Sequence, residues 1–168
     1  MGGTGGGRSL GRYQLRALED AARAALRQAA QPRRRNVFIS FVQEDLAEVN
    51  LVRGQAKNEN SSLEFNDWSL RKPFDSEDAE YVKRGIRERI RQSSVTVCYV
   101  TDNTAKSKWV DWEIRESRRL GKEVIAMYKG NTPPHTLPPA ITELKIQLIP
   151  WSHEGITKAI ERVAGTKS

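Results

Sequence analysis

The stretch Val95-Thr-Val-Cys-Tyr-Val-Thr101 constrains this chain more than any other. It is apolar or β-branched on both alternating faces, the pattern of an interior strand covered on both sides. A parallel strand needs neighbours joined by long crossovers, normally helical. The chain supplies them. Val37-Phe-Ile-Ser-Phe41, Leu63-Glu-Phe-Asn-Asp67, Glu123–Tyr128 and Ile146–Trp151 read as further strands. Between them, Leu46, Val49, Val52 and Ala56 recur at helical spacing, and helices are expected over about 76–92, 108–120 and 152–164. Ser76 or Asp75 is the expected cap of the first of these, and Ser152 that of the last. The proline-rich stretch 131–139 reads as a loop. Five strands alternating with helices predict an α/β parallel sheet covered on both faces, with a ligand crevice beyond the carboxyl ends of its strands.

Charge divides the chain. The net charge is +7. Residues 1–35 hold eight Arg against Glu19 and Asp20, whereas 36–168 hold 20 basic and 19 acidic groups. The expected organisation is therefore a Gly-rich tail, basic amphipathic helix and linker over 1–35, then one domain over 36–168. In the helix, expected over 9–30, Leu15, Leu18, Ala22, Ala25, Leu26 and Ala29 form a shallow apolar stripe opposite Arg12, Arg16, Arg23 and Arg27. Its basic arc lacks interleaved aromatics, which favours docking or solubility over nucleic-acid binding. No run approaches the roughly 18 apolar residues of a membrane span, and the start lacks the apolar core of a secretory signal. The single cysteine, Cys98, suits a reducing compartment, so the cytoplasm is expected.

Within 108–120, Lys-Trp-Val-Asp-Trp-Glu-Ile-Arg-Glu-Ser-Arg-Arg-Leu, helical geometry gathers Trp109, Val110, Glu113, Ile114 and Leu120 on one side. Asp111, Arg115, Arg118 and Arg119 fall on the other. Glu113 thus sits inside the apolar arc, where a carboxylate is expensive. It is either a rim carboxylate held by an Arg or a backbone N–H, or a functional group. Metal binding is not expected, because His135, His153 and Cys98 show no ligand spacing. No Gly-x-Ser-x-Gly turn points to a serine nucleophile.

These motifs resemble the Toll/interleukin-1 receptor (TIR) domain family. Val37–Phe41 looks like its first strand, and Asp67-Trp-Ser-Leu-Arg-Lys-Pro-Phe74 its loop after strand two. Lys108-Trp-Val-Asp-Trp-Glu113-Ile looks like its Trp-x-x-x-Glu helix, and Ile149-Pro-Trp-Ser152 its last strand. The wording is most like the TIR-like NAD⁺-processing proteins of bacterial Thoeris antiphage systems. The resemblance implies a flavodoxin-like three-layer sandwich with a five-stranded parallel sheet. It also implies cleavage of NAD⁺, as substrate and not cofactor, at the nicotinamide–ribose bond. The product would be an ADP-ribose-derived, in some cases cyclic, signal for a separate effector. By the same resemblance Glu113 is the catalytic carboxylate, Phe41 the ligand-facing aromatic and Trp109 the motif's Trp. Ser40 and Asp67 are candidate contacts to ribose or amide groups, with capping as the alternative. Phe74 either walls the pocket or acts as a hydrophobic staple. Val42-Gln43 stand where many enzymatic members carry a base, which leaves Arg71 and Lys72 as candidate phosphate contacts.

Two rivals follow. A non-catalytic TIR scaffold would share the fold and work by self-association. A phospho-acceptor receiver domain would use Glu44, Asp45 and Asp102, but Ser40–Phe41 and Pro150–Trp151 occupy positions where it needs an acidic pair and a Lys.

Overall fold

The computed structural model describes residues 11–30, 35–58, 63–66 and 73–165. The chain divides into two units, Met1–Arg33 and Arg34–Ser168. Within the first lies one helix, α1 (Arg12–Ala30). Gln14 closes its first turn, its side-chain oxygen accepting from the Gly11 N–H at 3.1 Å. Residues 9 and 10, expected to begin this helix, lie outside the described residues.

The second unit is an α/β sandwich. Its strands are β1 (Arg35–Ser40), β2 (Leu63–Asn66), β3 (Val95–Tyr99), β4 (Glu123–Tyr128) and β5 (Gln147–Pro150). Its helices are α2 (Leu46–Asn58), α3 (Ala79–Gln92), α4 (Lys108–Arg119), α5 (Pro139–Glu143) and α6 (His153–Gly165), with single 3₁₀ turns at Gln43–Asp45 and Thr104–Lys106. Among the described residues all five strands are parallel, in the order β2-β1-β3-β4-β5. This is the flavodoxin-like arrangement, whose order reverses between β1 and β3.

Strand alternation sorts the core into two layers. Val37, Ile39, Val97, Tyr99, Ile125 and Met127 face α2 and α6. Phe38, Cys98, Val100, Val124 and Ala126 face α3, α4 and α5. Each fully buried Val or Ile contributes about 1.5–3 kcal/mol of hydrophobic stabilisation, so β3, with every residue buried, is the strand that the rest of the unit encloses.

Two boundaries depart from sequence expectation. The α3 helix starts at Ala79, after Asp78, whose side chain makes no cap bond. Residues 73–78 instead form turns, with the Ala79 N–H donating to the Ser76 carbonyl at 3.0 Å. Part of the expected 131–139 loop and the residues after it form α5, which is too short for a periodicity signal and opens on Pro139, where a missing N–H costs nothing. The polar side of α4 makes contacts of its own. Asp111 Oδ1 accepts from the Ala140 N–H at 2.8 Å, and Arg115 pairs with Asp111 and Glu143, both at 2.8 Å. Asp111 therefore supplies from α4 the cap that α5 lacks.

The termini of α4 and α6 follow their residues. The Ser107 hydroxyl accepts from the Val110 N–H at 3.2 Å, and Gly121, at φ 73°, ends α4. Gly121 N–H donates to Arg118 and Lys122 N–H to Ser117, the paired bonds of a Schellman motif. The Ser152 hydroxyl accepts from the Gly155 N–H at 3.0 Å, as expected. A Cβ at Gly155 would stand 3.0 Å from Ile149 Cδ1 and 3.1 Å from Met127 Cε, so the tips of those side chains would have to give way for a larger residue there.

Candidate active site

The α4 helix crosses the sheet with an unusual polar stripe. Trp109, Glu113 and Ser117 follow at intervals of four, and all three are buried. The two polar members each find a partner on a strand. The Ser117 hydroxyl accepts from Thr96 at 2.9 Å. One turn nearer the carboxyl edge, Glu113 Oε2 accepts a short hydrogen bond from the Ser40 hydroxyl. Ser40 and Glu113 are each 0% exposed. Ser40 is the last residue of β1, so this contact lies at the carboxyl end of the strand that borders the topological switch. A carboxylate fully withdrawn from water is costly even when hydrogen-bonded. Its presence at a ligand-binding edge marks it as a functional candidate.

Beside it stands an aromatic group. Phe74 meets the Trp109 ring edge-on at 4.9 Å, and Trp109 meets Trp112 at 6.0 Å. Trp109 is buried within the α3 layer with Phe38, Val82 and Ile86. Lys83 covers this group, its ammonium 4.5 Å from the Phe74 centroid and 5.6 Å from that of Trp112. Phe74 stands four residues before the Asp78 cap, too far out to be the staple of α3. It packs between Trp109 of α4 and the apolar face of α3.

The structure thus brings Ser40 to Glu113 and Phe74 to Trp109, on one face of the sheet. Phe41 lies on the other. Next to Ser40 in sequence, it points the opposite way and packs with Ile39, Val49, Val52 and Tyr99, 1% exposed, with the Arg53 guanidinium 5.6 Å above its ring. Strand alternation is the reason, and it removes Phe41 from the Glu113 side. Asp67, Arg71 and Lys72 lie outside the described residues.

Several pairings here were not foreseen. Glu116, also buried, is held by Arg119 and by Arg87 at 2.8 Å. The Arg119 hydrogen bond foremost, with Arg87 assisting against the opposing effect of burial, brings its carboxyl down to about 2. Asp45 accepts from Thr101 at 2.6 Å and from the Asn103 amide at 3.2 Å, clasping the β1 and β3 loops across the switch point. On the α2 side, the Tyr99 hydroxyl donates to Glu48 at 2.9 Å, and burial together with that carboxylate pushes the phenol upward. The signal for these pairs is weak in sequence, because their partners lie 29 or more positions apart or on a helix face that reads as solvated. Among the described residues no group of three or more His, Cys, Asp or Glu is placed to hold a metal ion. No helix there is long and apolar enough to cross a membrane.

Comparison with known proteins identifies the family. The model of the family described as Thoeris protein ThsB, TIR-like domain, matches residues 38–133. A relative from Cytobacillus dafuensis, named putative cyclic ADP-D-ribose synthase TIR2, is 33% identical over 94 residues, 55% of this chain and 24% of that protein. The chain therefore spans about a quarter of that relative's length. Among solved structures, a 2-deoxyribosyltransferase from Bacillus psychrosaccharolyticus superposes with a TM-score of 0.50 at 15% identity, over 72% of this chain and 89% of that one, a likeness of fold. The TIR domains of the activated Roq1 resistosome superpose at 0.40 with 18% identity, over 56% of this chain and 57% of that one. The family match runs from Phe38 in β1 past the end of β4, more than half of the chain, and takes in Ser40, Phe74, Trp109 and Glu113. The chain belongs to the TIR-like domain family of the Thoeris protein ThsB.

Proposed function

We propose that this protein cleaves the nicotinamide–ribose bond of NAD⁺, with Glu113 as the catalytic carboxylate. One observation carries the proposal: a fully buried carboxylate at the carboxyl end of β1, oriented by the Ser40 hydroxyl. Membership of the TIR-like family supports it, as does the name of the Cytobacillus relative.

The chemistry needs little more. Most glycosidases use two carboxylates, because their leaving group must be protonated. In NAD⁺ the pyridinium nitrogen already carries the positive charge. When the C1′–N bond breaks, its electron pair neutralises that nitrogen and nicotinamide departs as a neutral base. The remaining demand is to stabilise the oxocarbenium-like centre on the ribose, which a single preorganised carboxylate meets. Capture by water yields ADP-ribose; capture by a nitrogen of the same molecule's adenine yields a cyclic product. We favour the second, as a nucleotide signal to a separate effector in antiphage defence, made in the cytoplasm. Trp109 and Phe74 border the nicotinamide end, and Ser40 orients Glu113. Glu113 is sealed from water within this chain, so substrate reaches it through a rearrangement of the site, which self-association of the TIR domain promotes.

Incubation of the purified protein with NAD⁺ at high concentration, beside Glu113→Gln, tests the proposal. Nicotinamide is expected from the wild type, and about a hundredfold less or lower from the variant. The second product, resolved by mass, identifies hydrolysis or cyclisation. Equal turnover by both proteins would make Glu113 structural and overturn the assignment. Silence from both, repeated with protein from phage-infected cells, would leave the non-catalytic scaffold.

A further inference from the structure

The loop that carries β3 into α4 is tied to the end of β1 by one buried carboxylate. Asp45, 7% exposed, closes the 3₁₀ turn that follows β1. Its N–H donates to the Val42 carbonyl at 3.0 Å. Its two side-chain oxygens divide between two donors across the switch point. Oδ2 accepts from the Thr101 hydroxyl at 2.6 Å and Oδ1 from the Asn103 side-chain amide at 3.2 Å. Thr101 in turn organises the loop. Its hydroxyl accepts from the Asn103 N–H at 3.2 Å, and its carbonyl accepts from the Thr104 hydroxyl at 2.6 Å. The Ser107 N–H then donates to the Thr104 carbonyl at 3.0 Å, and Ser107 is the cap of α4.

These bonds close a ring around the candidate site. On one side the Ser40 hydroxyl reaches Glu113 directly. Val42, two residues on, is buried in one cluster with Val110 and Ile114 of α4. On the other side Asp45 holds the loop that ends on the cap of the helix bearing Trp109 and Glu113. Joining two loops needs no charge, and a carboxylate is costly to bury. A charged acceptor does give a shorter and stronger bond, which is what fixing a distance requires.

We propose that Asp45 is a positioning residue for the cleavage of NAD⁺, a role that rests on Glu113 as the catalytic carboxylate. It holds the 101–107 loop against the turn after β1. The start of α4 is thereby set at the distance from which Glu113 meets Ser40. Asp45 touches no substrate in this role and acts through Thr101 and α4. A misplacement of about 1 Å that originates away from the chemistry can cost on the order of a hundredfold in rate. Loss of the clasp therefore belongs in kcat.

The test compares Thr101→Val, nearly the same shape without the donor, with Thr101→Ser, which keeps it. In nicotinamide release, kcat should fall roughly tenfold or more in Thr101→Val with KM within about twofold, and Thr101→Ser should recover most of the loss. Asp45→Ala should lower kcat likewise. Adding Thr101→Val to it should cost little more, because their shared bond is already gone. Thr101 is partly exposed, so its two variants keep the test alive if Asp45→Ala fails to fold. Hydrogen exchange, which needs no activity, should quicken at 107–112 in Thr101→Val and not in Thr101→Ser. Unchanged kcat in Thr101→Val, equal losses in the Val and Ser variants, or additive losses in the double variant would overturn the proposal. A wild type that releases no nicotinamide would refute the cleavage reading instead. Exchange would then decide the clasp, and equal rates at 107–112 in Thr101→Val and wild type would overturn it.

Discussion

The Ser40 hydroxyl, at the end of β1, donates a hydrogen bond to the Glu113 carboxylate on α4, and neither residue is exposed. The 73 positions between them are closed by a contact that fixes both the helix and its carboxylate. Ser40→Ala removes the donor and leaves the acidic oxygen buried. Bonds to charged groups are worth about 1.5–3 kcal/mol, so nicotinamide release should fall roughly ten- to a hundredfold. The urea midpoint should fall as well. Full activity in Ser40→Ala would mean that Glu113 is oriented by other groups.

Glu113→Gln separates catalysis from stability. The amide keeps an oxygen for Ser40 and loses the charge whose desolvation the fold otherwise bears. Activity is expected to collapse while the thermal midpoint holds or rises, the usual behaviour of a residue kept for function. A drop of several degrees would show that the charge stabilises the domain.

Glu116 predicts an acid limb. Its carboxyl is held at about 2 by Arg119 and Arg87, against about 4.5 when unfolded. A depressed carboxylate contributes its stability above the unfolded value and loses it as pH falls toward the folded one. Unfolding free energy should therefore drop by roughly 1–3 kcal/mol between pH about 4.5 and about 2 on this account, and Glu116→Gln should flatten that part of the profile. An identical profile in the variant would place the acid sensitivity elsewhere.

Asp111→Ala should loosen α5 more than the rest of the domain. The change removes the acceptor of the Ala140 N–H and one partner of Arg115. A lost cap costs about 1 kcal/mol. Hydrogen exchange should quicken at 139–146 with β3 unaffected; uniform quickening would contradict a local role.

The edge-on pair of Phe74 and Trp109 can be read by a double-mutant cycle with Phe74→Leu and Trp109→Phe. A coupling of about 0.5–1.5 kcal/mol is expected for such aromatic pairs. Additive effects would show that the two rings pack independently.

The sequence by itself determined the fold class and nominated Glu113 as a candidate. Alternation of apolar strands with helical spacing is a local property, and it marked all five strands, α2 and α4 to within a few residues. A carboxylate inside an apolar helical arc is local too, so Glu113 stood out before any partner was known. The short α5 escaped because five residues opened by proline carry no period. The start of α3 was misplaced because Asp75, Ser76 and Asp78 are all plausible caps, and packing chooses among them. Only the tertiary structure decided what each side chain touches. It joined Ser40 to Glu113, turned Phe41 to the far face of the sheet, gave Asp111 to α5, and clasped Asp45 to Thr101 and Asn103. Such contacts cross tens of residues. They arise when parallel strands stack in register and helices settle on one face or the other, a consequence of the whole sheet that no single window of sequence contains.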